Sequence, residues 1–87
     1  MQALVAMVRS LSARLAKLED GRPCPGDWLR LEAAVARVAI AVRHELAGMC
    51  PSLVDRDAVG ELMDELRYIK LCAEGHLFEL AGSETHG

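Results

Sequence analysis

From the second residue onward, apolar side chains recur in steps of four and three: Leu4, Val8, Leu11, Leu15 and Leu18. That period puts them on one stripe of an α-helix, with Arg9, Ser10, Ser12, Arg14, Lys17 and Glu19 off it. Gly21, Pro23, Pro25 and Gly26 then crowd into six residues and end the helix. Proline cannot continue the hydrogen-bond ladder, and glycine favours left-handed turns. So short a connection predicts that the next helix runs antiparallel to the first.

A second stripe, Trp28, Leu31, Val35, Val38, Val42, Leu46 and Met49, keeps the same spacing, with Asp27 as its expected N-cap. Between positions 33 and 42 the only polar side chain is Arg37, so Ala33, Ala36 and Ile40 add a second apolar edge. A helix that is apolar on more than one side needs cover on more than one side. This helix is therefore expected to be central, packed on both other helices and on a second copy of the chain. Gly48 and Pro51 end it, and Ser52, Asp55 and Asp57 are candidate caps for a third helix. Within that stretch, Ser52-Leu53-Val54-Asp55 has the spacing of a capping box. The third helix carries Leu62, Leu66, Ile69, Ala73 and Leu80, with Met63, Leu77 and Phe78 widening the stripe. Gly60 and Gly75 interrupt it, each costing roughly 1 kcal/mol against alanine, and a bend or fraying is expected near Gly75.

These patterns predict an all-α fold, a small antiparallel three-helix bundle made of a helical hairpin plus a third helix. A single domain over 1–82 would hold helices at 2–19, 27–48 and 53–81, followed by a frayed tail at 83–87. Composition agrees. Only one Trp, one Tyr and one Phe occur in 87 residues, and Ala, Leu and Val dominate the 52% apolar fraction. That argues against a β fold and against a disordered tail. A chain this short buries only roughly 60% of its unfolded surface, which again favours a homodimer.

The apolar run at 33–42 contains Arg37 and is far too short to cross a bilayer. At the N-terminus the basic residues follow the apolar run and no small-residue cleavage site appears, so it does not read as a signal peptide. An odd count of three widely spaced cysteines argues for a reducing compartment rather than a disulfide framework. A soluble, cytoplasmic protein is expected.

The net charge of −3 is unevenly placed. Residues 1–43 hold seven basic and four acidic side chains, whereas residues 44–87 hold three basic and nine acidic. The basic residues are spaced singly along two helices instead of clustering, which argues against a nucleic-acid partner and for a solvated face.

Chemistry-bearing constellations are sparse. Cys72 and His76 lie four apart on one helical face, and Cys50 or His44 would be needed to complete a metal site with them. The plainer reading of a lone cysteine is a small core hydrophobe. No Ser-His-Asp grouping, Gly-rich phosphate loop or HExxH motif is present, so no catalytic residue and no cofactor is assigned and an enzyme is not expected. Trp28 is expected to pack across the mouth of the hairpin.

The stretch Cys24-Pro25-Gly26-Asp27-Trp28-Leu29, with Ala34-Val35 and the segment 57–66, resembles the small helical repressors that sense copper or formaldehyde. That family has a ligand cysteine near the start of its second helix. Here Cys50 stands roughly where it has histidine, no cysteine stands at the family's second cysteine position, and the net charge is acidic. The segment 22–36 resembles the helical-hairpin co-chaperones of bacterial type III secretion needles. The two likenesses point to unrelated families, and neither is taken as membership.

The favoured function is a non-enzymatic helical interaction module of bacterial or phage type: an inhibitor, adaptor or co-chaperone that binds another protein. Its partner-binding candidates are Met7, Arg14, Arg37, Ile40, Tyr68 and Phe78, apolar or arginine side chains that the bundle core does not require. The rival is a metal- or thiol-responsive DNA-binding repressor using Cys24, Cys50, Cys72 and His76.

Overall fold

Each heptad-spaced stripe becomes one face of an α-helix in the computed structural model, which describes residues 2–85. Helix α1 spans Gln2–Asp20, α2 spans Pro25–Ala47 and α3 spans Arg56–Thr85, with a single 3₁₀ turn at Pro51–Leu53 before α3. The three helices pack pairwise on one another. Helices α1 and α3 run parallel, because Ser12 meets Glu65 and, further along both chains, Glu19 meets His76. Helix α2 runs back between them.

The core is the set of side chains that the spacing selects. Leu4, Val8, Leu11 and Leu15 are buried from α1, Trp28, Leu31, Val35, Val38 and Val42 from α2, and Leu62, Leu66, Ile69 and Ala73 from α3. Burying a side chain of the Leu or Val class is worth roughly 1.5–3 kcal/mol, so these thirteen residues are the main favourable contribution to folding. Leu18, Leu46, Met63, Leu77 and Leu80 pack partly buried at the margins. Phe78 does not widen the stripe as expected. Leu77 takes the inward position, and Phe78, about 100° further round the helix, is 81% exposed.

The helix starts differ from the sequence expectation in instructive ways. Helix α2 begins at Pro25, with Cys24 as its N-cap. Asp27 is therefore the third helical residue, and its carboxylate reaches back to accept the Cys24 backbone N–H at 3.1 Å. That is half of a capping box, and it leaves Pro25 at the first position, where a missing N–H costs nothing. At α3 the cap is Asp55, whose Oδ1 accepts the N–H groups of Asp57 and Ala58 at 3.1 and 3.2 Å. The helix consequently starts at Arg56, three residues later than expected, and Ser52 lies in the 3₁₀ turn.

No described glycine has positive φ, so the turn after α1 is set by its prolines and not by a left-handed glycine. Helix α3 continues through Gly75 and on to Thr85, across much of the tail expected at 83–87. Residues 86 and 87 lie outside the described residues.

A β-carbon at Gly75 would meet nothing within 4 Å. Gly75→Ala is accordingly expected to stabilise the fold by about 0.5–1 kcal/mol through helix propensity alone. In a domain of this size, that is a rise of a few degrees in Tm by circular dichroism. A fall would mean that the glycine is needed for close approach.

Candidate functional site

Three places on the bundle gather side chains with chemical potential. The first closes the end where the α1–α2 connection lies. Trp28, in the first turns of α2, is 2% exposed and packs its ring flat on His76 of α3, with centroids 4.2 Å apart and planes 9° from parallel. The His76 Nε2 lies 3.3 Å from Glu19 Oε2 at the end of α1. One side chain from each helix thus locks this end, and Trp28 packs across the hairpin mouth as its position suggested. The arrangement is a lid on the core: an imidazole has one polar edge to give to water or a carboxylate and a flat face to give to indole.

The second place is the flank between α1 and α3. Tyr68 is exposed there, one turn before Cys72. Hydrogen bonding to the Cys72 thiol, and then the charges of Cys72 and Glu19, hold the phenol above its ordinary pKa, with smaller contributions from partial desolvation and Glu65. Nearby, the Ser12 hydroxyl donates to Glu65 at 3.0 Å and ties the two helices together.

The third place is the face formed by α2 and α3 on the side away from α1. Four large apolar side chains that the core leaves out sit here: Leu29 (56% exposed), Ile40 (53%), Leu71 (58%) and Phe78 (81%). Two shallow clefts of about 360 and 430 Å³ run side by side along it and share Val35, Ala39, Arg43 and Lys70. On α2, Leu29, Ala33, Ala36 and Ile40 follow one another at steps of four, three and four, so they form a second stripe behind the buried one. On α3, Leu71 and Phe78 are seven apart and share a side in the same way.

Comparison with known protein families, with curated proteins and with solved structures finds no match.

The six partner-binding candidates read from the sequence are therefore divided by the fold. All six are exposed. Ile40 and Phe78 lie on the same α2–α3 side but towards opposite ends of it, Tyr68 lies on the α1–α3 flank, and Met7 and Arg14 sit seven apart along one side of α1. Arg37 lies on the far side of Ile40 from the clefts. Leu29 and Leu71 were missed. Each is a leucine adjacent to a core position or one helical step from it, and only the second stripe, read across two helices, singles it out.

The alternative donor set is not assembled. Cys24 is exposed, with its thiol 3.4 Å from Asp27, Cys50 is exposed beside the 3₁₀ turn, and Cys72 lies next to Tyr68. His76 is engaged by Trp28 and Glu19. Among the described residues, no three His, Cys, Asp or Glu side chains form a metal-binding group. No helix among them is long and apolar enough to cross a membrane.

Two outcomes check this geometry. His76→Ala should uncover the indole, shifting Trp28 emission to the red and costing about 1 kcal/mol or somewhat more; an unchanged spectrum would contradict the stack. Tyr68 is the only tyrosine, so an absorbance titration reads its phenol directly. Cys72→Ala should lower that midpoint towards the ordinary value, and no change would remove the thiol as the cause.

Proposed function

We propose that this chain is a non-enzymatic helical interaction module, of the inhibitor, adaptor or co-chaperone kind, that works in the cytoplasm as a homodimer and binds another protein. The observation that carries this reading is the α2–α3 face. Four large apolar side chains lie along one side of the rod, outside a core that is already complete without them. Scattered single apolar residues are ordinary on a protein surface, whereas a contiguous apolar patch marks an interaction site. Anchors at helical spacing beside a groove are the usual grammar of helix recognition by proteins. The acidic balance of the second half of the chain is consistent with a protein partner and not with nucleic acid. The repressor reading has less support, since its four donors are spread over the bundle.

The Tyr68 flank is a second surface, left open when the α2–α3 face is covered. Using the tagged full chain as bait in extracts of its host, Tyr68→Ala should leave helicity and Tm nearly unchanged and weaken partner capture at least tenfold, about 1.4 kcal/mol. Retention of the same proteins by the wild type, by Tyr68→Ala and by Leu71→Glu would count against the module reading. A large fall in Tm would instead assign Tyr68 a packing role.

A further inference from the structure

Because α2 and α3 run in opposite directions, their shared face has two electrostatic ends. Arg43 and Arg67 lie towards one end of the clefts, with Asp64 beside them, and Lys70 sits between the two ends. Glu32, towards the start of α2, and Glu74, further along α3, lie at the other end. Lys70 and Glu74 approach to 3.8 Å within the chain, while Arg43, Arg67 and Glu32 have no ion pair among the described residues. Leu71 and Ala36 sit between the two ends.

The molecule is also extended for its mass. It measures 55 × 20 × 18 Å with a radius of gyration of 15.1 Å, where a compact domain of this length has about 12 Å. Its accessible surface is 6309 Å², against roughly 5,000 Å² expected for a monomer of its mass. One long side of such a rod presents about 1,000 Å² in projection, enough for the roughly 800 Å² that each partner contributes to a stable interface.

We propose that a second copy of this chain covers the α2–α3 face in an isologous, antiparallel dimer. This rests on reading that face as the interaction surface. The twofold axis lies in the interface, across the helices, so that α2 meets its copy and α3 meets its copy, each running the opposite way. Rotation about that axis carries the basic end of one face onto the acidic end of the other. Arg67 then faces Glu74 of the partner subunit, and Arg43 faces Glu32 of the partner subunit, each pair occurring twice. Leu71 and Lys70 lie nearest the axis, where Lys70 keeps Glu74 of its own chain as counter-ion at 3.8 Å, and Ile40 and Ala36 pack along the α2 seam. The other symmetric arrangement, with the axis along the helices, would lay α2 on α3 of the partner subunit with like ends together and bring Arg43 towards Arg67 of the partner subunit, which is unfavourable.

The test is sedimentation equilibrium of the full chain from about 1 to 200 μM, a range that spans micromolar dissociation constants. The wild type is expected to be a dimer whose affinity falls with added salt. Leu71→Glu should give a helical monomer, and Arg67→Glu should weaken the dimer at least tenfold. Adding Glu74→Arg to Arg67→Glu should restore it, because the reciprocal pair is rebuilt with its signs exchanged. A monomer throughout the range would overturn the proposal, as would a dimer indifferent to Leu71→Glu or a double exchange no better than the single one. If the chain is monomeric yet Leu71→Glu still abolishes capture of a different protein, the second copy falls and the interaction module stands. If Leu71→Glu changes neither, both fall.

Discussion

A bundle of three helices has one axis to share, and each helix can turn only a stripe of about 100° towards it. Every other feature of this protein follows from that limit. The stripes beginning at Leu4, Trp28 and Leu62 meet on the axis and leave water almost completely. Whatever apolar residues the sequence carries beyond one stripe per helix must then remain outside. Helices α2 and α3 both exceed that allowance, and because they are neighbours their excess lands on one side of the rod. Leu29 and Ile40 from one helix, with Leu71 and Phe78 from the other, are exposed through geometry and not through any fault of packing.

The polar residues are deployed around the same limit. A rod this slender has ends as vulnerable as its sides, and the end near the α1–α2 connection is closed by one side chain from each helix. Trp28 supplies the apolar bulk, His76 covers its face, and Glu19 receives the imidazole edge. The lid acts as a register pin. It fixes the height of α3 relative to α1, and Ser12 with Glu65 fixes it again farther down. With helix heights set twice, the end-to-end order of charges on the outer face is set as well. The proposed pairing of Arg67 with Glu74 of the partner subunit would thus depend on contacts made on the opposite side of the molecule.

Much of this was legible in the sequence, and the gaps have physical causes. The thirteen core residues lie on the three heptad stripes, because burial in a bundle depends on angular position and the spacing encodes angle directly. Phe78 was placed wrongly although the signal was present: Leu77 follows Ala73 by four and precedes Leu80 by three, so Leu77 and not its neighbour continues the stripe. The cap of α2 was misassigned for a similar reason, whereas Asp55, one of the three candidates for α3, is its cap. Asp27 and Asp55 are equally good caps in isolation, and only the proline at the first helical position shows that Asp27 acts from inside the helix while Asp55 acts from outside it. The Trp28–His76–Glu19 contact was beyond reach, since it joins residues 48 and more positions apart. Its existence depends on how far α3 slides along α1, which no local pattern records. The same is true of the α2–α3 face: each half is a periodicity, but their adjacency and opposite polarity belong to the fold.

That opposite polarity bears on how stability and interaction are connected. A chain of this size gains little margin from one stripe per helix, so covering the outer face contributes to folding as well as to recognition. For a protomer that dimerises, mass action makes part of the apparent stability depend on concentration. The side chains on the α2–α3 face then differ in kind from those on the axis. Removing Leu31 or Ile69, both fully buried, takes contacts from every molecule at any dilution and costs a few kcal/mol. Removing Leu71, more than half exposed, takes far less from the isolated protomer and would act mainly where a second chain is within reach. The sequence can therefore vary the outer stripe to choose a partner while holding the inner stripe constant to keep the fold, because the two occupy different faces of the same helices and meet only at the floor of the clefts.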